Sequence, residues 1–208
     1  MLGLDTFLLF LTASFILCLA PGPDNIFVLT QSMLRGSASG ILVTLGLSTG
    51  LLVHTSAVAL GVAVIFQQSL LAFTVLKLCG AAYLLYLAWG AFRAGAGGLG
   101  ASKAISLNKL ALYRRGIVMN ITNPKVSIFF LAFLPQFTNP AKGHLTLQLL
   151  QLGAVFIICT LVVFGLISLL AGKLGNWFSQ SPQAEIVMNR VAGSVFAALA
   201  IKLALTER

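Results

Sequence analysis

Two short segments of the sequence combine prolines with a charged residue in otherwise apolar surroundings. In chain order, the first segment is Pro21, Gly22, Pro23, Asp24 and Asn25, and the second is Asn123, Pro124 and Lys125. Proline lacks a backbone N–H and its ring clashes with the preceding turn, so each segment must interrupt a helix locally. The interruption frees backbone N–H and C=O groups beside one carboxylate and one ammonium. Because such groups can coordinate a small polar ligand, we take these residues as the candidate site for a substrate and a proton.

Asp24 and Lys125 lie deep within apolar sequence. Each is about ten residues from a basic residue at the edge of its stretch, Arg35 for Asp24 and Arg115 for Lys125, which is roughly 15 Å along a helix. At that depth in a membrane an ionisable side chain costs about 2.5–3.5 kcal/mol on insertion scales, and it usually faces a partner or a wet cavity. We therefore predict that the two side chains line one central cavity. The alternative is that they pair and only hold two helices together.

Asp24 and His54 are candidates for proton transfer, whereas the cysteines give no sign of a metal site. Asp24 is the candidate proton-coupling residue, because a carboxylate beside a cation titrates in response to that cation. His54 is a candidate proton relay, since histidine changes charge near neutral pH; the alternative is a hydrogen-bonded packing residue. The cysteines, Cys18, Cys79 and Cys159, lie far apart in apolar sequence and lack metal-ligand spacing. The sequence therefore predicts no metal site and no cofactor.

The elements that must position these residues are membrane-spanning helices. Of the 208 residues, 59% are hydrophobic and 8% are charged, whereas a soluble domain carries about 25% charged residues. A helix needs about 20 mainly apolar residues to cross the hydrocarbon, and six stretches qualify: 6–32, 41–66, 70–92, 115–137, 147–171 and 186–205. These runs are too long and too uniformly apolar for barrel strands, so helices must satisfy the backbone hydrogen bonds in lipid. We predict one all-α transmembrane domain, residues 1–208, with helices 1 and 4 broken at the proline motifs.

Basic residues predict how the helices are oriented. The polar segment 93–115 contains a cluster of basic residues, namely Arg93, Lys103, Lys109, Arg114 and Arg115. The positive-inside rule predicts that such a loop is cytoplasmic, so the net charge of +9 does not indicate nucleic-acid binding. Both termini then face outward. If one apolar stretch is re-entrant instead, five spans would place one terminus inside.

The two halves of the chain repeat the same features. Pro23 and Pro124 are separated by almost half the length of the sequence. In the third helix of each half, Lys77, Gly80 and Tyr83 match Arg190, Gly193 and Phe196 in spacing and type. Half-repeats at about 1–95 and 115–208 would each hold three spans, and an odd number makes the second half enter from the opposite side. This is a 3+3 inverted repeat, in which paired helices interrupted by Gly and Pro indicate the binding site of a secondary transporter.

The sequence resembles the LysE/RhtB family of bacterial amino-acid exporters over nearly its whole length. The resemblance lies in the length, the six apolar spans, the basic loop and three motifs, at Pro21–Asn25, Gly80–Tyr83 and Asn123–Lys125. It implies proton-driven export, by antiport, of amino acids or close derivatives across the bacterial inner membrane. The threonine and homoserine branch is the nearer one. In such a site Lys125 and freed N–H groups suit a carboxylate, while Asp24, Asn25 and freed carbonyls suit an ammonium.

Other functions fit the sequence less well. A metal-ion or other small-solute exporter, or a channel, could also use two broken helices, but the ammonium of Lys125 at mid-membrane would repel a cation. An intramembrane protease would need a second deep carboxylate, a Ser–His dyad or a metal motif; Ser48 and His54 face different sides of a helix. We therefore predict a transporter rather than an enzyme, embedded in the lipid bilayer. The sequence leaves open whether it forms a homo-oligomer.

Overall fold

The computed structural model of the chain describes residues 3–62, 70–94, 108–139, 143–180 and 182–205. Within these ranges the chain is helical and contains no strand, which confirms the prediction of an all-α protein. The helices are α1 (Leu4–Leu19), α2 (Pro23–Arg35), α3 (Ser37–Ala57), α4 (Leu70–Arg93), α5 (Lys109–Thr122), α6 (Pro124–Ile128), α7 (Leu145–Gln180) and α8 (Pro182–Leu205). Helix α3 continues as a π-helical turn, Val58–Val62, and α6 continues through a π-helical turn, Phe129–Phe133, and a 3₁₀ turn, Leu134–Phe137.

Both proline motifs break a helix where the sequence predicts a break. Helices α1 and α2 meet at a bend of 59°, and α5 and α6 meet at a bend of 51°. Pro23 and Pro124 each lie at the start of the second half-helix, where the missing N–H needs no partner within the helix. Gly22 and Asn123, which precede the prolines, are extended, as expected for a residue before proline. The chain therefore begins a new helix in a new direction at each motif.

The described ranges contain three helical segments that are long and apolar enough to cross a membrane, namely Ser37–Gly61, Leu145–Ala171 and Ile186–Leu205. The number rises to five if each of the two bent pairs is one span. The remaining predicted stretch, 70–92, forms α4, a helix of 24 residues. The chain is therefore a multi-pass membrane protein.

The polar segment predicted at 93–115 ends earlier than expected. Helix α5 begins directly after Asn108, whose Oδ1 accepts a hydrogen bond of 2.8 Å from a backbone N–H of the first turn. A side-chain cap of this kind favours the start of a helix, so Arg114 and Arg115 lie inside a helix rather than in a loop. Most of the predicted loop, residues 95–107, lies outside the described residues.

Close contacts at small residues show the directions of the helices. Gly46 of α3 packs against Gly116 of α5, and these two helices run parallel. Gly40 of α3 lies against Ser168 of α7, and Gly193 of α8 lies against α4; both of these pairs run antiparallel. Small residues let membrane helices approach closely, and the attraction between them then comes from packing. From these directions, the start of α3 lies near the start of α5 and the end of α7, and the start of α8, which follows α7, lies near the end of α4. The end of α2, the end of α4 and the start of α5 are therefore at the same end of the bundle.

We call this end of the bundle the basic end, because Arg35, Arg93 and Lys109 lie there. The opposite end is called the far end. The helices form two groups: a main bundle, in which α2, α3, α5 and α7 pack together with α1 against α7, and an α4–α8 pair. The α4–α8 pair contacts the main bundle in the far half, where Gly80 of α4 fits against Ala132.

Buried aromatic rings fill the far half. The phenylalanine cluster consists of Phe10, Phe129, Phe130, Phe133, Phe137 and Phe156, all of them buried. Neighbouring ring centroids in the cluster are 4.9 to 6.2 Å apart, a spacing at which aromatic pairs attract one another. The Nζ of Lys202, on α8, lies 5.0 Å from the centre of the Phe137 ring and joins the α4–α8 pair to the cluster. The far half is therefore closed by side-chain packing.

Candidate functional site

The N-terminal turns of α2 and α6 meet at the two breaks. Asn123 Nδ2 donates a hydrogen bond of 2.9 Å to Asp24 Oδ2, and Asn123 Oδ1 accepts one of 3.0 Å from the backbone N–H of Lys125. Asn123 therefore caps α6 and also connects it to the first turn of α2, where Asp24 lies. A carboxylate in the first turn of a helix is stabilised by the helix dipole. One broken helix thus fixes the charged residue of the other.

The second connection between the broken helices runs through Lys125. Its Nζ donates hydrogen bonds to the carbonyl oxygens of Leu17, at 3.2 Å, and of Ala20, at 3.0 Å. Asn25 Nδ2 donates to the carbonyl oxygen of Cys18 at 2.7 Å. These carbonyls close the last turn of α1, where a helix lacks its own donors, and a cation is favoured there by the dipole. The break in the first half of the chain is therefore completed by an ammonium from the second half.

Each charged group makes its hydrogen bonds to the other broken helix and not to the opposite charge: Asp24 accepts from Asn123, and Lys125 donates to the carbonyls of Leu17 and Ala20. Both side chains are buried, with 3% and 9% of their surface exposed. The two charges therefore join the broken helices through these other partners, and their part in a binding site stays a prediction. One oxygen, Asp24 Oδ1, has no hydrogen-bond partner among the described residues. It is an unused acceptor beside the break.

A cavity of about 1060 Å³ extends from the α1–α2 break toward the basic end. It lies between the main bundle and the α4–α8 pair, and its walls come from the first half of α2 and from the halves of α4, α7 and α8 that are nearer to the basic end. Five of the candidate residues line it: Pro21, Gly22, Pro23, Asn25 and Lys125. The cavity therefore ends at the motif that the sequence singled out.

The other three residues of the two proline motifs lie outside the cavity lining. Of the two charges expected to line one cavity, the structure places Lys125 on the wall and Asp24 behind it, because the Asp24 carboxylate is turned toward Asn123. Asn123 is buried beside Asp24, and Pro124 is exposed at the start of α6.

Most of the cavity wall consists of residues that sequence reasoning missed. Apolar examples are Phe27 of α2, Leu87 of α4, Leu166 of α7 and Phe196 of α8. An apolar residue in a membrane helix faces a cavity, lipid or another helix with the same sequence pattern, so nothing distinguishes these positions in advance. Asn189 also lines the cavity and is buried. A polar residue within the apolar stretch 186–205 was the signal that could have identified it.

His54 lies beside the second break and outside the cavity lining. Its Nε2 is 3.2 Å from the carbonyl oxygen of Asn120, in the last turn of α5. When Nε2 carries the proton, it donates to a carbonyl oxygen that also accepts the backbone N–H of Asn123, at 3.1 Å. The imidazole also packs 5.6 Å from the Phe130 ring, measured between centroids. This placement agrees with a hydrogen-bonded packing residue.

The described part of the chain contains no group of three or more His, Cys, Asp or Glu side chains that could hold a metal ion. Its cysteines are separate: Cys18 and Cys159 are buried, and Cys79 is exposed. The Sγ of Cys18 lies 3.6 Å from the hydroxyl of Thr160, which joins α1 to α7.

Comparison with known proteins gives a consistent set of similarities. The sequence matches the LysE type translocator family over residues 15–207. A homoserine/homoserine lactone efflux protein of Salmonella typhimurium is 36% identical over 194 residues, which cover 90% of this chain and 90% of that protein. An uncharacterized membrane protein of Vibrio cholerae is 32% identical over 204 residues, 98% of each chain. A leucine efflux protein of Salmonella choleraesuis is 25% identical over 203 residues, 97% of this chain and 96% of that one. No solved structure shows significant similarity to the chain.

Proposed function

The chain belongs to the LysE family of translocators, as its sequence resemblance indicated, and on that premise we propose that it is a secondary transporter that exports amino acids or close derivatives. The observation that carries the proposal is the cavity that ends at Gly22 and Lys125, between two broken helices. Broken membrane helices present free backbone groups and helix ends to a substrate near the middle of the bilayer. The homoserine/homoserine lactone and leucine efflux relatives support export of amino acids, with the threonine and homoserine branch the nearer one.

In the proposed orientation the basic end faces the cytoplasm of a bacterial cell and the bundle lies in the inner membrane. Arg35, Arg93 and Lys109 at one end of the helices support it through the positive-inside rule. The cavity then reaches toward the cytoplasm, while the phenylalanine cluster closes the outer half. An exporter must receive its substrate from this side, so a cavity that reaches toward the basic end supports the proposed direction of transport.

We assign six spans to the transporter, arranged as a 3+3 inverted repeat. Helices α1–α2, α3 and α4 form one half-repeat, and α5–α6, α7 and α8 form the other. Equivalent helices of the two halves run in opposite directions, and each proline break is followed directly by a charged residue, Asp24 or Lys125. Helix α4, with 24 residues, would span about 36 Å at 1.5 Å per residue, which exceeds the hydrocarbon thickness of about 30 Å.

Lys125 is the proposed partner of the substrate carboxylate. An ammonium has three N–H donors, and Lys125 uses two of them on the carbonyls of Leu17 and Ala20. The third donor is left for a ligand in the cavity, beside the N-terminus of α2, which favours negative charge. The same positive charge disfavours the alternative of a metal-ion exporter, because a cation at the end of the cavity would meet an ammonium.

Asp24 is the proposed proton-coupling residue. Its Oδ1 is buried and has no hydrogen-bond partner within the described ranges, so the carboxyl group has an atom that can take a proton. Asn123 holds the other oxygen and also caps α6, which links the state of Asp24 to the second broken helix. Protons and substrate would then use neighbouring groups of one site, an arrangement that permits antiport.

The test is transport by the purified protein in proteoliposomes. Counterflow of labelled homoserine and leucine measures substrate exchange, and accumulation driven by an imposed pH gradient measures coupling. We expect Asp24→Asn to abolish the gradient-driven component. Asp5→Asn is the matched control, because Asp5 is an exposed carboxylate in the first turn of α1. Intact proton coupling in Asp24→Asn would remove Asp24 from the mechanism, and an absence of counterflow with every amino acid and derivative tried would overturn the transporter assignment.

A further inference from the structure

The cavity is much larger and more apolar than a free amino acid requires. Its volume of about 1060 Å³ is at the upper end of the range of roughly 300–1,000 Å³ that accommodates drug-sized ligands. The walls between Lys125 and the basic end are formed largely by Leu, Ile, Val, Phe, Met and Ala side chains. Homoserine or leucine would occupy only the inner end of this space. The shape therefore suits a ligand with a polar head and a substantial apolar body.

The charged side chains at the cavity also do not match a zwitterion, which carries both a carboxylate and an ammonium. Lys125 is the one charged side chain in the described lining, and the lining contains no carboxylate. Asp24, the nearest acidic group at the break, lies behind the wall with its carboxylate on Asn123. A free ammonium in the cavity would therefore be placed in apolar surroundings near a like charge, and an uncompensated charge in such surroundings is costly. A carboxylate without an ammonium fits better.

One further polar atom converges on the inner end. Asn25 Oδ1 is buried and has no hydrogen-bond partner in the part of the chain that the structure describes, while Asn25 Nδ2 donates to the Cys18 carbonyl. The position that a Cβ on Gly22 would occupy lies 3.2 Å from Lys125 Nζ and 3.8 Å from Asn25 Oδ1. Because glycine leaves that position empty, one small group there can reach both a cationic donor and a neutral acceptor.

Asn25 Oδ1 is the unused acceptor on the cavity side of the break, and it matches a ligand that offers one N–H group. A free ammonium brings three donors, whereas the amide of an N-acylated amino acid brings one. In such a molecule the amide N–H and the carboxylate are separated by one carbon atom, so they can bind at the same time to Asn25 Oδ1 and Lys125 Nζ. The acyl chain and the amino-acid side chain then extend along the apolar walls toward the basic end.

Resting on the proposed export function, we propose that the preferred substrates are N-acylated amino acids with an apolar chain. The carboxylate binds Lys125, the amide N–H donates to Asn25 Oδ1, and the acyl chain fills the cavity between α2, α4, α7 and α8. A free amino acid can make the first two of these contacts, but Asn25 Oδ1 matches only one of its three ammonium donors, and a free amino acid brings no acyl chain to fill the apolar walls.

The experiment measures binding of labelled N-octanoyl-leucine to the full chain in lipid nanodiscs, with empty nanodiscs as the correction for partitioning into lipid. The competitors are leucine, N-acetyl-leucine, N-octanoyl-leucinamide and a fatty acid of the same total length. We expect N-octanoyl-leucine to bind at least about tenfold more tightly than leucine, since each buried methylene contributes about 0.8 kcal/mol, or roughly fourfold. N-octanoyl-leucinamide, which lacks the carboxylate, should bind about tenfold more weakly than the acid.

Two substitutions test the assigned contacts. Lys125→Met should remove the preference for the acid over its amide, and Lys125→Arg should retain part of it. Asn25→Leu should remove the preference for N-octanoyl-leucine over the fatty acid. Equal or tighter binding of leucine overturns the inference. Binding of the fatty acid as tight as that of N-octanoyl-leucine also overturns it, because the cavity would then be a site for lipid-derived acids.

Counterflow of homoserine and leucine is measured on the same preparation. If these amino acids are exchanged and N-acyl forms do not compete, the export function stands and the inference fails; if nothing is exchanged, the export function itself fails.

Discussion

Substitution of Gly80 tests whether the seam between α4 and the main bundle holds the far half closed. A Cβ on Gly80 would overlap the Cβ of Ala132 and would lie 3.1 Å from Leu203 Cδ2. Ala132 belongs to the π-helical turn Phe129–Phe133 and is itself buried, so it has no flexible atoms that could move aside. In Gly80→Ala the two elements must separate for the new methyl group to fit.

The size of the effect follows from this overlap. Forcing one extra methyl group into a well-packed contact costs about 1–3 kcal/mol. This cost destabilises only the conformation in which α4 contacts the Phe129–Phe133 turn. It therefore shifts the equilibrium from conformations with a closed far half toward conformations with an open far half by roughly 5- to 150-fold. Gly165→Ala in α7 is the matched control, because a Cβ there would meet no atom of the described residues within 4 Å outside its own helix backbone.

The assay is the rate at which a water-soluble thiol reagent, added on the far side, labels a cysteine in the far half. Ser14→Cys is a suitable reporter, since Ser14 is 0% exposed in α1 and the substitution is nearly isosteric. It is made with Cys79→Ser, which removes the exposed native thiol, and the parent without the reporter gives the background from the buried cysteines. Gly80→Ala should label faster by about the population factor, and Gly165→Ala should label as the parent does. The control is that both glycine variants keep their helix content and run as monodisperse protein. If they are then labelled at equal rates, the contact at Gly80 does not hold the far half closed.

Three further substitutions have defined outcomes. In Gly22→Ala the added Cβ lies 3.2 Å from Lys125 Nζ, so substrate affinity should fall by about tenfold while the unfolding midpoint is unchanged; unchanged affinity in a binding titration would remove this position from the site. His54→Gln keeps a donor for the Asn120 carbonyl, so proton-driven transport should persist, and its loss with intact counterflow would favour the relay. Phe129→Ala empties the centre of the phenylalanine cluster, where the side chain is 0% exposed, and should lower the free energy of unfolding in detergent by about 3–5 kcal/mol; a loss below about 1 kcal/mol would show that the cluster is loosely packed.

The breaks in the helices could be predicted because their cause is local. Proline removes a donor and restricts the residue before it, and Pro23 and Pro124 therefore begin new helices wherever the rest of the chain lies. The start of α5 was also encoded locally, by the Asn108 cap. It was missed because the basic residues that follow it were interpreted as part of a loop rather than as the first turns of a helix.

The partners of the two buried charges could not be predicted. Depth and sign placed Asp24 and Lys125 at the same level, and opposite charges at one level suggest a pair. The structure instead gives Lys125 to the carbonyls at the end of α1 and Asp24 to Asn123. These choices depend on which way each half-helix leaves its break, and the bends of 59° and 51° are properties of the packed bundle rather than of any short segment.

The ammonium of Lys125 also constrains how the protein is made. The carbonyls that it satisfies, on Leu17 and Ala20, are separated from it by 108 and 105 residues of chain. In lipid an unsatisfied backbone group costs several kcal/mol, so the first broken helix stays incomplete during synthesis until the second one has been inserted. Neither half of the chain is therefore a finished folding unit by itself. Membrane insertion must keep the first proline break wet or shielded until Lys125 arrives, and a chain cut between its halves would regain this connection only by reassembly of the two fragments.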